Sequence, residues 1–257
     1  MLQEGLPICS RLYDMKIICS DYDGTLNHGG ITEKKLEAIK RWQEKGNLFC
    51  VVSGRGKEFF FELKEKKIPV DYFLSCNGAL ITDGEYNVIS DVRCDGAVAI
   101  PLIEYIFSLG GFFANICAET PFSVDNYAFP DAEGKHLSEV GEIKHFNQIS
   151  TALPDFEASA EVVAKVRERF GEYVNPLQNG TCIDIVPYGM DKAQGIYKLL
   201  DIVGGKKEDV IAVGDNVNDE AMIKEFFSYA MANGVDSIKE VAHCITVGIE
   251  ELIEKEI

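Results

Sequence analysis

The sequence predicts an α/β protein whose core is a doubly wound, Rossmann-like parallel sheet, interrupted by an inserted α+β unit. Two observations support this fold class. Short apolar runs alternate with helical stretches near both ends of the chain, and the middle of the chain breaks that rhythm with hairpin signals. Strands that alternate with helices form parallel sheets through right-handed crossovers. We therefore expect a core of residues 1–82 plus 189–257, with residues 83–188 inserted as a cap.

The core elements follow from apolar runs and from the residues that begin and end helices. Residues 15–21 form a mostly apolar run that stops at an acid and a glycine, as a buried parallel strand does. Residues 32–45 begin with a capping threonine and are followed by glycine, which is typical of a helix. The same reasoning predicts further strands at 48–53, 72–76, 210–213, 228–231 and 244–247. It also predicts further helices at 58–67, 191–203 and 218–227, a helix that begins at 237, and a helix at the C-terminus.

The inserted unit is predicted from two turn sequences and from the runs beside them. Asp83-Gly84 and Gln178-Asn179-Gly180 are both typical of β-hairpin turns. The accompanying predicted elements are helices at 98–109 and 157–170 and strands at 111–118, 173–177 and 181–186. Hairpins combined with helices indicate an α+β unit rather than a continuation of the parallel sheet.

The composition is that of an acidic globular protein. Its 257 residues include 42 acids and 25 bases, which give a formal charge of −17. Nucleic acids and anionic membrane surfaces repel a polyanion, so we expect neither as a partner, whereas a bound cation would still allow a small anionic substrate. The sequence has no long apolar run and no secretory signal, and its eight cysteines lack metal or disulfide spacing. We expect a cytoplasmic protein with reduced thiols, as a monomer or a weak homodimer.

Two carboxylates follow the first predicted strand. Asp21 and Asp23 lie in the segment Asp-Tyr-Asp-Gly-Thr, and ligands of doubly wound sheets bind beyond the carboxyl ends of the strands. Two acids two residues apart can divide the chemistry, one as a nucleophile and the other as a proton donor. An acidic turn that uses glycine for a tight bend is an equally good interpretation of this segment alone.

A second acidic segment, Gly-Asp-Asn-Val-Asn-Asp, follows the strand predicted at 210–213. Asp215 and Asp219 are four residues apart, so both can face one side as a helix begins. If they lie beside Asp21 and Asp23, the four carboxylates repel one another unless a cation is bound, and oxygen ligands suit Mg²⁺. The alternative for Asp215 is the ordinary role of a helix N-cap.

Polar and cationic residues at other strand ends complete the candidate site. Ser53 and Gly54 end the second strand, where a hydroxyl and backbone N–H groups could hold phosphate oxygens. Lys192 opens a helix directly after the inserted unit and could offset the carboxylates. The ordinary alternatives are a cap for Ser53, a solvated surface lysine for Lys192 and a turn for Asn77-Gly78.

Together these segments resemble the haloacid dehalogenase superfamily of aspartyl-phosphate enzymes, and within it the Cof-type, sugar-phosphatase-like branch. Asp-Tyr-Asp-Gly-Thr matches the first motif, Val-Ser-Gly-Arg the second, Lys192 the third and Gly-Asp-Asn-Val-Asn-Asp-Glu-Ala-Met the fourth. The insertion between Ser53 and Lys192 is similar to the large cap of that branch. Ala193 departs from the pattern, in which glycine often follows the lysine. Met15 is the expected start, because residues 1–14 extend beyond the usual beginning.

The resemblance implies a Mg²⁺-dependent phosphatase that acts on a small phosphorylated metabolite, with sugar phosphates as the leading class. It implies that Asp21 attacks phosphorus, while Asp23 protonates the leaving oxygen and then activates water. It assigns the metal to Asp21, Asp215 and the carbonyl of Asp23. It further implies phosphate binding by Ser53, Gly54, Lys192 and Asn218, supported by Asp219 and Asn77.

Other functions and substrates stay open on the sequence alone. A phosphomutase would share the nucleophile but needs a cap that recognises a second phosphate, and residues 83–188 hold 17 acids against six bases. A noncatalytic phosphometabolite sensor would have no need of both Asp21 and Asp23. Pyridoxal phosphate and flavin mononucleotide are alternatives to a sugar phosphate. The candidate substrate contacts in the cap are Tyr127, Phe129, His136, Asn179 and Gly180.

Overall fold

The computed structural model describes residues 15–126, 128 and 135–257. Its strands are β1 (Ile17–Ser20), β2 (Leu48–Val52), β3 (Tyr72–Ser75), β4 (Leu80–Asp83), β5 (Val88–Asp91), β6 (Cys94–Asp95), β7 (Phe113–Cys117), β8 (Phe122–Asp125), β9 (His145–Phe146), β10 (Gln148–Ala152), β11 (Val174–Asn179), β12 (Cys182–Pro187), β13 (Val210–Gly214), β14 (Phe227–Met231) and β15 (Cys244–Thr246). Its α-helices are α1 (Glu33–Glu44), α2 (Phe59–Glu65), α3 (Ala99–Ser108), α4 (Phe156–Phe170), α5 (Lys192–Val203), α6 (Glu220–Glu225), α7 (Asp236–Val241) and α8 (Ile249–Glu256).

A large sheet forms the core, with the strand order β15-β14-β13-β1-β2-β3-β4-β5. The strands from β15 to β3 pair in parallel, and β4 and β5 continue the sheet antiparallel. Because β1 lies between β13 and β2, the segments that follow these strands meet at one edge of the sheet. Asp21, Ser53, Asn77 and Asp215 all lie just beyond strand ends at this edge, which is where doubly wound sheets bind ligands.

Helices cover both faces of the large sheet. Helices α1, α2 and α8 pack on one face around Trp42 and Phe49, and α5, α6 and α7 pack on the other face around Leu199. Strands buried on both faces need apolar residues at every position. In β1, Ile18 accordingly joins the first apolar cluster, whereas its neighbours Ile17 and Cys19 join the second.

A small sheet belongs to the inserted part of the chain. Its strand order is β11-β12-β10-β7-β8 and all of its pairings are antiparallel. Helices α3 and α4 cover one face, where Ile183 and Ile185 are buried in an apolar cluster. Side chains alternate along a strand, so Asp184 projects from the opposite face. That face is polar and is turned toward the edge of the large sheet that carries Asp21.

The predicted fold class is confirmed, and the predicted core elements occur with small shifts at their ends. The helix predicted at 218–227 begins instead with a short 3₁₀ turn, Val217–Asp219, and continues as α6. Strands β6, β8, β9 and β10 were not predicted. In β10, the segment Gln148–Ala152 is short and mixes polar with small residues, and it becomes a central strand through pairing with β7 and β12.

The hairpin predicted at Asp83-Gly84 extends the large sheet. Strand β5 pairs with β4, which itself pairs with β3, so the large sheet continues to Asp91. The division into a core of 1–82 plus 189–257 and a cap of 83–188 stays a prediction, and this pairing favours a later start for the cap.

The described cysteines are free thiols. Cys19 and Cys50 are fully buried in β1 and β2, where they act as small apolar side chains. Within the described ranges, no helix combines the length and the apolar character needed to cross a membrane.

Two glycines let α5 approach the turn that follows β3. A Cβ atom on Gly195 would lie 2.5 Å from the Cα atom of Gly78, which no relaxed structure tolerates. Gly195 lies one turn after Lys192 on α5, so this contact also fixes where Lys192 enters the site.

We predict that Gly195→Ala lowers the free energy of unfolding by about 1–3 kcal/mol, because overpacking outweighs the gain in helix propensity. Chemical denaturation of the wild type and the variant measures this difference. Gln194→Ala is the matched control, since Gln194 is exposed on the same turn. A Gly195→Ala protein as stable as this control would contradict the close contact.

Candidate active site

Asp21 lies at the centre of the site because β1 delivers it to the edge of the large sheet. Its backbone N–H donates to the carbonyl of Val213, and only 5% of the residue is exposed. A tight helical turn, Tyr22–Leu26, follows and contains Gly24 at φ +81°. A Cβ atom on Gly24 would lie 2.4 Å from Oδ2 of Asp215. Glycine is therefore required both by the turn and by the close approach of this carboxylate.

Lys192 is buried between two carboxylates. Its Nζ donates to Oδ1 of Asp21 at 2.6 Å and to Oδ1 of Asp219 at 2.5 Å. Asp191 caps the start of α5 by accepting from the backbone N–H of Gln194, which places Lys192 on the first turn. Burial alone would lower the pKa of Lys192, but the carboxylates of Asp21 and Asp219 outweigh burial and raise it. Lys192 is thus a permanent cation inside the site.

Asp219 holds the loop after β13 in place. Its Oδ2 accepts from the backbone N–H groups of Asp215 (2.9 Å) and Asn216 (3.1 Å), while Oδ1 binds Lys192. A Cβ atom on Gly214 would lie 2.5 Å from Oδ2 of Asp219, so glycine is needed where the strand ends. Because both carboxylate oxygens are engaged, Asp219 positions Lys192 and Asp215.

Asp21, Asp215 and Asp219 form a cluster in which one oxygen atom from each lies within 4.8 Å of the others. Burial raises the pKa of Asp21, with Lys192 opposing the rise and the other two carboxylates adding to it. Burial also raises the pKa of Asp215, whose Oδ1 accepts from the Thr25 hydroxyl. When all three are ionised, the carboxylates outnumber the one ammonium group, and a hard divalent cation with oxygen ligands would offset the excess negative charge.

The Asp23 carboxylate lies outside this cluster. It pairs with Arg55 through Nε–Oδ2 (2.7 Å) and Nη2–Oδ1 (2.8 Å), and about half of its side chain is exposed. The guanidinium also stacks over the ring of Phe59 at 4.4 Å. The metal role predicted for Asp23 concerns its backbone carbonyl and stays a prediction. The contact between Arg55 and Asp23 was not predicted from the sequence, although Arg55 is the last residue of the second motif, Val-Ser-Gly-Arg.

The remaining predicted residues fall into two groups. Ser53, Gly54 and Asn218 line the same cavity as Asp21, and the Ser53 hydroxyl accepts from the backbone N–H of Arg55. The Asn77 side chain instead reaches the small sheet, where its Nδ2 donates to Asp184 and Gln148.

The cavity has a volume of about 480 Å³ and lies between the two sheets. The large sheet contributes the strand-end residues, and the small sheet contributes polar side chains that include Asn115, Ser150, Asn179 and Asp184. Of the predicted substrate contacts that the structure describes, only Asn179 lines the cavity. Gly180 occupies the β11–β12 turn, His136 caps a separate 3₁₀ turn, and Tyr127 and Phe129 lie outside the described residues.

Comparison with known proteins agrees with this geometry. The family profile described as haloacid dehalogenase-like hydrolase matches residues 18–251. The chain belongs to this family. The predicted membership is thereby confirmed, and the predicted enzyme class is supported by relatives that are named phosphatases.

Two curated relatives and one solved structure illustrate the similarity. A Bacillus subtilis protein named 5-amino-6-(5-phospho-D-ribitylamino)uracil phosphatase YcsE is 28% identical over 95% of each chain. Phosphoglycolate phosphatase 2 of Saccharolobus solfataricus is 25% identical over 93% of this chain and 91% of its own. The structure of a subclass IIB sugar phosphatase of the same superfamily matches with a TM-score of 0.76 at 20% identity, covering 94% of this chain and 99% of its own. At that identity the structural match shows the fold alone.

We predict that Lys192→Met destabilises the protein by about 3–5 kcal/mol, because it leaves two buried carboxylates without their counter-ion. Urea unfolding at neutral pH measures the change. Lys207→Met is the control, since Lys207 forms an exposed ion pair with Glu225 that should matter little. Equal unfolding midpoints for the two variants would contradict the role of the buried contact.

Proposed function

We propose that this hydrolase is a Mg²⁺-dependent phosphatase that cleaves a small phosphorylated metabolite through a phosphoaspartate intermediate. The observation that carries the proposal is the buried contact of Asp21 with Lys192 inside an acidic cluster. A carboxylate at a strand end, with one oxygen held by an ammonium, is oriented to attack with the other oxygen.

The two aspartates of the first motif have separate roles in the proposed reaction. An oxygen of Asp21 forms a bond to phosphorus as the bond from phosphorus to the leaving oxygen breaks, and Asp23 donates its proton to that oxygen. Water then attacks phosphorus in the phosphoaspartate and gives a proton to Asp23. The bond between phosphorus and the Asp21 oxygen breaks in this step, so phosphate is released and Asp21 is restored. Asp23 is exposed at the cavity, which suits this exchange of protons. Both of its oxygens accept from Arg55 in the structure, so one of them has to leave that contact before Asp23 can carry and donate a proton.

Asp21, Asp215 and the carbonyl of Asp23 would hold the metal ion. When bound, Mg²⁺ offsets the negative charge that would otherwise repel a phosphoryl group from this cluster. Lys192 neutralises part of that charge at Asp21. Asp219 keeps Lys192 and Asp215 oriented through the hydrogen bonds described above.

Phosphate binding is proposed for residues that follow β2 and β13, the two strands beside β1. Ser53 and Gly54 offer a hydroxyl and backbone groups, and Asn218 offers an amide from the loop after β13. Together with Lys192, these groups can hold phosphate oxygens that do not react.

We propose a sugar phosphate as the substrate class on the basis of the polar lining of the cavity. The described residues that the small sheet contributes to the cavity include no lysine or arginine, but they do include amide and hydroxyl groups and one carboxylate. Such a lining hydrogen-bonds neutral hydroxyls and offers no cationic partner to a second phosphate, which disfavours a phosphomutase. The relatives' names point to a ribitylaminouracil phosphate and to phosphoglycolate, so they do not decide the substrate.

Asp21 and Asp23 together favour turnover over simple sensing, because binding alone needs no acid–base partner. The cytoplasmic location and the monomeric or weakly dimeric state stay predictions. The acidic net charge of −17 continues to argue against nucleic acid and anionic membranes as partners.

We predict that Asp21→Asn abolishes Mg²⁺-dependent phosphate release from a panel of sugar phosphates, because an amide cannot form the acyl phosphate. Colorimetric phosphate release measures the effect, and circular dichroism verifies the fold. Asp201→Asn is the control, since Asp201 is an exposed residue of α5. Turnover near the wild-type rate in Asp21→Asn would exclude Asp21 as the nucleophile.

A further inference from the structure

Three buried side chains join the small sheet to the loops of the active site. Nε2 of Gln148, the first residue of β10, donates to the carbonyl of Gly54 at 2.6 Å. Nδ2 of Asn77 donates to Oε1 of Gln148 at 3.0 Å and to Oδ2 of Asp184 at 3.1 Å. Each of these hydrogen bonds links residues that are far apart in sequence, so each depends on the two sheets being in contact.

The Ser53–Arg55 loop receives hydrogen bonds at three consecutive carbonyls. The Ser53 carbonyl accepts from the backbone N–H of Asn77, and the Arg55 carbonyl accepts from that of Cys76, both at 2.9 Å. These two donors belong to the large-sheet side of the molecule. The middle carbonyl, that of Gly54, accepts from Gln148 of the small sheet. The small sheet thus supplies the hydrogen bond that completes the loop.

The orientation of the Gly54 carbonyl restrains the Ser53 hydroxyl, which is one of the groups proposed to bind phosphate. The carbonyl of Gly54 and the N–H of Arg55 belong to the same planar peptide group, so fixing one fixes the other. That N–H donates to the hydroxyl oxygen of Ser53 at 3.2 Å. Gln148 therefore restrains the Ser53 hydroxyl through a rigid peptide unit.

The same contact region excludes a side chain at position 54. A Cβ atom on Gly54 would lie 2.6 Å from Oδ2 of Asp184 and 3.2 Å from Nδ2 of Asn77. The small sheet therefore packs directly on the loop backbone. The Asp184 carboxylate also accepts from the Ser150 hydroxyl, a hydrogen bond within the small sheet. Asp184 thus joins the small sheet to Asn77.

Asn77 depends on the small sheet for its side-chain hydrogen bonds. The residue is fully buried, and its Oδ1 has no hydrogen-bond donor among the described residues. Its Nδ2 binds the two side chains of the small sheet. Asn77 also adopts a left-handed conformation with φ +51°, which asparagine tolerates better than most residues. Separation of the sheets would leave this amide without those partners.

We propose that Gln148, Asp184 and Asn77 form a closure latch that positions the Ser53–Arg55 loop when the small sheet covers the active site. Gln148 is the central positioning residue, because its amide donates to the loop itself. The proposal rests on the proposed phosphatase function and deepens it. The latch couples enclosure of the substrate to the assembly of the phosphate-binding loop, so the open molecule binds phosphate with a less ordered loop.

Gln148→Met tests the latch, because methionine keeps the length of the side chain and removes the donor. We expect kcat to fall about tenfold, inhibition by inorganic phosphate to weaken about tenfold, and deuterium exchange to accelerate in the peptide that contains residues 53–57. The matched control is Gln178→Met, since the Gln178 amide donates to Phe156 and Ser159 within the inserted part alone. The control should leave all three quantities at their wild-type values.

Equal behaviour of the two variants in kinetics and exchange would overturn the latch. If Gln148→Met fails to fold, Gln148→Ala repeats the test, because the alanine side chain has no donor and cannot reach the Gly54 carbonyl. Deuterium exchange does not require turnover, so it tests the latch even if the wild type releases no phosphate from any ester. An absence of phosphate release by the wild type would contradict the proposed function and not the latch.

Discussion

The site depends on the buried ammonium group of Lys192, which lies between the carboxylates of Asp21 and Asp219. This contact joins the end of β1, the start of α5 and the loop after β13, three segments that lie far apart in the sequence. A buried charge is tolerated only when it is paired and hydrogen-bonded. Lys192 meets that condition and still leaves the cluster with more carboxylates than cations, which is why we infer a metal ion beside Asp21 and Asp215.

The surrounding backbone is shaped to allow this concentration of charge. Gly24 and Gly214 lack the Cβ atoms that would collide with Asp215 and Asp219, so the acidic side chains can lie against the main chain. The small sheet closes the site with its polar face, because alternation along β12 buries Ile183 and Ile185 and turns Asp184 toward the cavity. The same packing that stabilises the inserted part therefore supplies the groups that contact the loops and the substrate cavity.

Sequence reasoning predicted residues that follow parallel strands and missed side-chain contacts between loops and between the two sheets. Asp21, Ser53 and Asp215 could be predicted, because strands of a parallel sheet bring their carboxyl ends to one edge. The pairing of Arg55 with Asp23 spans two loops and leaves no periodic signal. Gln148 could not be predicted for a similar reason, since its short strand mixes polar and apolar residues and becomes recognisable only through its neighbours. Such contacts are decided by tertiary packing rather than by local pattern.

The most direct test of the account is calorimetric titration of the purified protein with Mg²⁺. We expect saturable binding to the wild type, and an affinity at least about tenfold weaker in Asp215→Asn, because loss of even an outer partner of a metal site costs about 10- to 100-fold in affinity. Asp236→Asn, which changes an exposed carboxylate at the start of α7, should bind as the wild type does. Unchanged Mg²⁺ affinity in Asp215→Asn would contradict the central claim that the buried carboxylate cluster holds a cation.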